Sequence, residues 1–156
     1  MSIFIVAEIG INHNGSMEIC KELIDVAVDS GCDAVKFQKR DVNEVYTQEF
    51  LDSHRESPWG VTQREQKMGL EFDADEYQEI ESYCKKKNIE WFASAWDVNS
   101  QKFLRQFNSK YNKVASAMIV HTELLKEIAS EGKHTFISTG MTTYNDIDKA
   151  VDVFKK

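Results

Sequence analysis

The chain has 156 residues, 42% hydrophobic and 29% charged, which suits one folded domain with its own core and not a disordered segment. Its formal net charge of −7 argues against nucleic acid or an anionic membrane surface as a partner, yet it leaves room for a phosphorylated small molecule held by a few local lysines and helix N-termini. No window is apolar over the length a bilayer span needs, and residues 1–8 lack a basic leader and meet an acid too early for a signal peptide, so a cytoplasmic chain is expected.

Residues 3–9 (IFIVAEI) predict a first strand, apolar on both faces as a buried parallel strand is. Asn14-Gly15 turns the chain, Ser16 is placed to cap a helix, and Ile19, Leu23, Val26 and Ala27 recur at helical spacing until Gly31. Residues 33–38 (DAVKFQ) predict a second strand. Residues 40–71 are polar, contain the sole proline, Pro58, and read as a long lid or substrate loop. Asp73 and Glu76 then suit a capping box opening a helix with Tyr77, Ile80 and Cys84 on its apolar face, and residues 89–94 predict the next strand.

Phe103, Leu104 and Phe107 mark a further helix, and residues 112–116 (NKVAS) a fourth strand. Thr122 is expected to cap a helix through Leu125, Ile128 and Ala129 that Gly132 ends. Residues 134–138 (HTFIS) predict the fifth strand, and Thr143 caps a last helix with Ile147, Ala150, Val151 and Phe154 on one face. Alternation of this kind predicts a parallel sheet covered by helices. Two architectures fit: a complete doubly wound sheet, or a partial TIM barrel of about five β/α units where eight close the ring.

Ligands of parallel α/β folds bind at the carboxyl ends of the strands. Polar residues fall at that edge on every predicted strand: Glu8, then Lys36 and Gln38, then Ser94, then Lys113 and Ser116, then Ser138 and Thr139. Strand alternation sets Lys36 opposite to Val35 and Phe37; with those two packed under helices, Lys36 points into a barrel or across a sheet. A buried ammonium demands an anion. Either Glu8 on the neighbouring strand or a ligand phosphate or carboxylate answers it. Ser138-Thr139-Gly140 is a strand-to-helix turn able to offer N–H groups to phosphate. Cys20, Cys32 and Cys84 sit in or beside apolar runs and read as reduced core thiols. His13, His54, His121 and His134 show no metal-ligand spacing.

The run Ala7-Glu8-Ile9-Gly10-Ile11-Asn12-His13-Asn14-Gly15 resembles the opening motif of the sialic acid synthase (N-acetylneuraminate synthase) family. So do Val35-Lys36-Phe37-Gln38, Lys113-Val114-Ala115-Ser116 and Ile137-Ser138-Thr139-Gly140-Met141, in that order, with Arg64-Glu65-Gln66-Lys67 and Leu70-Glu71-Phe72 between. The resemblance implies that residues 1–156 form a single domain, the N-terminal portion of a TIM-barrel synthase domain, with the later strands and an antifreeze-like domain absent. It implies an enzyme that condenses phosphoenolpyruvate with N-acetylmannosamine or a related acetamido sugar and releases phosphate, with Mn or Mg held by residues outside this chain. The alternative is a non-catalytic binding module that retains the phosphoenolpyruvate half-site alone.

Carried over motif by motif, Lys36, Lys113, Ser116 and Ser138 match residues that hold phosphoenolpyruvate, and Glu8 and Gln38 match residues facing the sugar. Glu8 and Lys36 are the expected catalytic pair. Two departures stand out. The family's serine-threonine-proline is here Ser94-Ala95-Trp96, losing a hydroxyl expected to meet phosphate, and its glycine-glutamate is Ala117-Met118, losing a carboxylate on the sugar side. A partial barrel exposes strand edges, so a homo-oligomer is expected.

Overall fold

The computed structural model describes residues 3–155; Met1 and Ser2 of the expected leaderless start lie outside them. In chain order the elements are β1 (Val6–Gly10), α1 (Met17–Asp29), β2 (Ala34–Lys39), α2 (Val42–Val45), α3 (Gln48–Asp52), β3 (His54–Ser57), β4 (Gly60–Thr62) and α4 (Gln63–Gly69). There follow α5 (Ala74–Lys87), β5 (Glu90–Ala95), α6 (Val98–Leu104), β6 (Tyr111–Val114), a 3-10 turn (Ser116–Met118), α7 (Thr122–Ala129), β7 (His134–Ile137) and α8 (Tyr144–Phe154).

Five strands form one parallel sheet in the order β1-β2-β5-β6-β7. Each strand of this sheet lies beside the previous one. A doubly wound sheet would reverse direction and set the first strand inside the sheet. Sequential order is that of a (β/α) barrel, and the chain is a sector of one, five strands where closure takes eight. Val35, Phe37, Trp91, Ala93, Ala95 and Val114 face the helices and form the core with Ile24 of α1, Tyr77, Ile80 and Cys84 of α5, and Leu124 and Ile128 of α7. Burial pushes the Cys20 and Cys84 thiols up to about 12, as suits inert core residues.

Four local expectations need correction. The first strand begins at Val6, and Ile3, Phe4 and Ile5 before it are exposed; the Ile5 carbonyl accepts from the Asp33 and Ala34 N–H groups at 2.8 and 3.2 Å, and Asp33 Oδ2 accepts the Ile5 N–H at 2.7 Å. The buried stripe of α1 is Cys20, Ile24 and Ala27 with Leu23 packed at its border; of the expected stripe Leu23 and Ala27 face the core, while Ile19 and Val26 are exposed. Thr122 does not cap α7: His121 does, its Nδ1 accepting the Leu124 N–H at 3.2 Å, which leaves Thr122 as the first helical residue. Residues 40–71 are not an irregular loop. They fold as two short helices, the antiparallel β3–β4 hairpin and α4, which Thr62 and Glu65 cap reciprocally.

That segment is clamped onto the β1–α1 turn. A Cβ at Gly15, where φ is +69°, would lie 2.2 Å from the Gly69 carbonyl oxygen, and one at Gly69 would meet the Trp59 ring at 2.2 Å. His13 is buried beneath the same turn, stacked on Phe72 with centroids 4.0 Å apart, its Nδ1 accepting the Gly15 N–H at 3.2 Å. Burial brings its pKa down to about 4, so it is a neutral packing group. At the opposite end of the strands, Glu131 accepts hydrogen bonds from Gln101 (2.7 Å), Arg105 (3.2 Å) and Asn112 (3.2 Å). This seals the amino end of β6.

Candidate active site

In-register residues of parallel strands point to the same face. The pairs Glu8–Lys36, Lys36–Phe92, Gln38–Ser94, Ser94–Lys113 and Lys113–Phe136 therefore line the concave interior in layers. The lower layers are aromatic. Phe92 packs on Tyr111 (5.7 Å between centroids) and on Phe136 (5.7 Å), and Phe4 stacks beneath at 6.1 Å from Phe136. The upper layers are polar, so charged groups stand on an apolar floor that screens them from water on one side.

Lys36 is buried, and its ammonium reaches the Glu8 carboxylate at 2.5 Å and Ser94 Oγ at 3.3 Å. The anion that answers it within the chain is thus Glu8, whose own side chain is 56% exposed at the mouth. An ammonium has three N–H groups. Both Glu8 oxygens, at 2.5 and 2.7 Å, and Ser94 Oγ stand within reach of them, so a ligand anion would share the ammonium with Glu8. Lys113 donates to Ser138 Oγ at 2.7 Å and to the Val114 carbonyl at 2.6 Å. Desolvation first, then the nearby positive charge of Lys36, brings its pKa down to about 8, with Glu8 opposing. Ser116 lies beside the Gly140 turn, its Oγ 3.8 Å from where a Gly140 Cβ would be. Lys113, Ser116 and Ser138 thus gather on one side of the mouth, and Glu8, Lys36 and Gln38 on the other, with Ser94 between.

Gln38 does not stand alone. Its Oε1 accepts from the Arg40 guanidinium, which also pairs with Glu71 at 3.4 Å and stacks over Trp96 at 4.5 Å. This fixes the Gln38 amide with its Nε2 toward Gly10, where a Cβ would come within 3.1 Å. Arg40 went unnoticed in the sequence, although it follows Gln38 by two residues and so shares its face. The sequence places Ser94 at a strand end; its position between the two lysines comes from the register, with Lys113 its partner on β6 and the Lys36 ammonium 3.3 Å away.

The two departures occupy different environments. Ala95 is fully buried in the apolar core on the helix side of β5, opposite to Ser94. Trp96 and Met118 line one cleft of about 270 Å3 together with His121 and Glu44. Among the described residues no group of three or more His, Cys, Asp or Glu is placed to hold a metal ion, so the side chains present do not build a metal centre. Among the described residues no helix is long and apolar enough to cross a membrane.

A sequence profile described as the NeuB family matches residues 23–156. The N-acetylneuraminate-9-phosphate synthase of Drosophila melanogaster is 37% identical, over 99% of this chain and 42% of that protein. The N,N'-diacetyllegionaminic acid synthase of Legionella pneumophila is 34% identical, over 99% of this chain and 44% of that protein. The crystal structure of the N-acetylneuraminic acid (sialic acid) synthetase of Leptospira borgpetersenii, in complex with citrate, superposes with a TM-score of 0.86 at 28% identity, covering 99% of this chain and 50% of that one. The chain thus spans less than half the length of these curated relatives.

Proposed function

The chain belongs to the NeuB family, and from that premise we propose that its strand ends form the phosphoenolpyruvate half of a synthase site. The whole enzyme would join phosphoenolpyruvate to N-acetylmannosamine or a related acetamido sugar, in a cytoplasmic setting, with release of phosphate. The observation that carries this reading is the convergence of two ammonium groups, Lys36 and Lys113, on one apolar-floored mouth.

Each side chain has a task in this reading. Lys36 and Lys113 hold the phosphate and carboxylate of phosphoenolpyruvate, and their fixed hydrogen bonds mean little reorganisation on binding. Ser138 and Ser116 add hydroxyl contacts at the Gly140 turn. Gln38, locked by Arg40, and the exposed Glu8 carboxylate face the sugar. The enol carbon of phosphoenolpyruvate forms the new C–C bond to the sugar aldehyde carbon; water adds at the neighbouring carbon, and phosphate leaves by C–O cleavage. A divalent metal, if the family's chemistry holds here, takes its ligands from residues outside this chain.

The reading is tested by phosphoenolpyruvate affinity against pH. Lys113 in the empty site is charged below about 8 and loses its charge above it. Affinity is therefore full below that value and falls as pH rises through it, by about tenfold between pH 7 and 9 if one cationic contact is lost. The phosphate itself is ionised throughout that range. Calorimetric titration that finds equal affinity at both pH values removes Lys113 from the phosphate site.

We also propose that the chain self-associates. Among the described residues β1 and β7 each pair on one side only, and Ile3, Phe4 and Ile5 are exposed beside β1. Open edges flanked by apolar side chains favour pairing. Light scattering at micromolar concentration is expected to report a species larger than one chain; a monodisperse monomer would count against it.

A further inference from the structure

Lys113 carries a second possibility that phosphoenolpyruvate binding does not require. Its amine has two acceptors in place, Ser138 Oγ at 2.7 Å and the Val114 carbonyl at 2.6 Å. A neutral amine has two N–H donors and one lone pair. Both donors are engaged here, so the lone pair is the unengaged position. The surroundings suit a nucleophile: an aromatic floor of Phe92, Tyr111 and Phe136 below, and the Lys36 ammonium alongside. A lysine desolvated next to another cation is a known way to obtain a reactive amine.

We propose that Lys113 is a carbonyl-capturing amine that forms an imine with small 2-oxo acids in the mouth of the barrel sector. The Lys113 lone pair attacks the keto carbon, forming the C–N bond, and the carbonyl oxygen takes up a proton passed from the nitrogen through the Ser138 hydroxyl. The nitrogen lone pair then forms the C=N bond as the C–O bond of the carbinolamine breaks, the hydroxyl leaves as water with the second proton of the nitrogen, and the neutral imine remains. The Lys36 ammonium draws in the carboxylate of the oxo acid by its charge, which it shares with Glu8. Lys36 on β2 and Glu8 on β1 are the charged groups acting on this amine, and Tyr111 and His134 lie in the layer below. With the free amine favoured from about pH 8, capture strengthens with rising pH, opposite to phosphate binding at the same nitrogen.

The test is reductive trapping of the chain with pyruvate and cyanoborohydride, followed by peptide mapping in a mass spectrometer. The cyanoborohydride delivers hydride to the imine carbon and fixes the adduct as a secondary amine. An ordinary lysine offers about a hundredfold less free amine near pH 8. Lys113 is therefore expected to label about tenfold or more faster than exposed lysines such as Lys85 and Lys86, with its own rate rising from pH 7 to 9 while its lead over them narrows. Lys113→Arg is expected to lose the fast adduct. Labelling of Lys113 no faster than that of Lys85 and Lys86 in the unsubstituted chain overturns the proposal, whether or not the variant folds. So does a fast adduct that persists in Lys113→Arg.

Discussion

Saturating phosphoenolpyruvate is expected to raise the melting temperature of this chain by about 5–10 °C, and Lys36→Met to abolish the rise. At a hundredfold excess over the dissociation constant, binding adds about 2.7 kcal/mol, and in a domain of this size each kcal/mol moves the midpoint by about 2–4 °C. Methionine keeps much of the lysine stem and its packing while removing the ammonium. The variant should not lose stability without ligand, because the ammonium is buried and its partner Glu8 is half exposed and can hydrate when released. Replacing a buried ion-pair member by a packed apolar side chain is often neutral when the other charge can reach water. The two readouts therefore separate: an unchanged midpoint without ligand and a lost shift with it. A shift that survives in Lys36→Met means that the phosphate sits elsewhere, and a variant that melts far lower without ligand means that the Glu8–Lys36 pair is structural.

Gly15→Ala should cost about 3 kcal/mol and lower the midpoint by about 6–12 °C. Two effects add. The residue holds φ at +69°, which costs a side-chain-bearing residue about 1–2 kcal/mol. The new methyl would also stand 2.2 Å from the Gly69 carbonyl oxygen and 3.1 Å from the Trp59 ring, so the end of α4 has to move. Gly31→Ala isolates the first effect, since φ there is +75° with nothing within 4 Å of the added carbon. Thermal melts of both variants give the steric part by difference. If Gly15→Ala falls no further than Gly31→Ala, the close approach of residues 40–71 to the β1–α1 turn is not what holds that segment down.

The parts of the fold written in periodicity were legible. The Asp73–Glu76 capping box, the Tyr77-Ile80-Cys84 stripe and the alternation around Lys36 all appear where the residues place them. Choosing between a barrel and a doubly wound sheet was not possible from the pattern, because both have the same β/α rhythm and differ only in which strands become neighbours. The elements inside residues 40–71 are not legible because their helices are four to seven residues long, too short to show a period. The Thr62–Glu65 spacing was nonetheless a usable signal for α4. At the site, the sequence could set Lys36 and Glu8 against each other but not Gln38 against Arg40, since that pairing depends on a side chain folding back along its own strand. The α1 stripe is ambiguous for a simpler reason: Ile19, Leu23 and Val26 are apolar and so are Cys20 and Ile24, with Ala27 common to both faces, and only packing against the sheet and α5 decides between them.

The one-after-another order of the main strands has a kinetic consequence. Each strand of the main sheet pairs with the one laid down just before it in that sheet, so no strand has to search past an intervening strand for its partner. A chain emerging from the ribosome could lay down β1 and β2 first and add β5, β6 and β7 in turn, every new strand meeting a ready template edge. Folding by accretion of this kind predicts that successive C-terminal truncations at unit boundaries leave the earlier strands assembled, whereas removing β1 strips the first edge on which the rest is built.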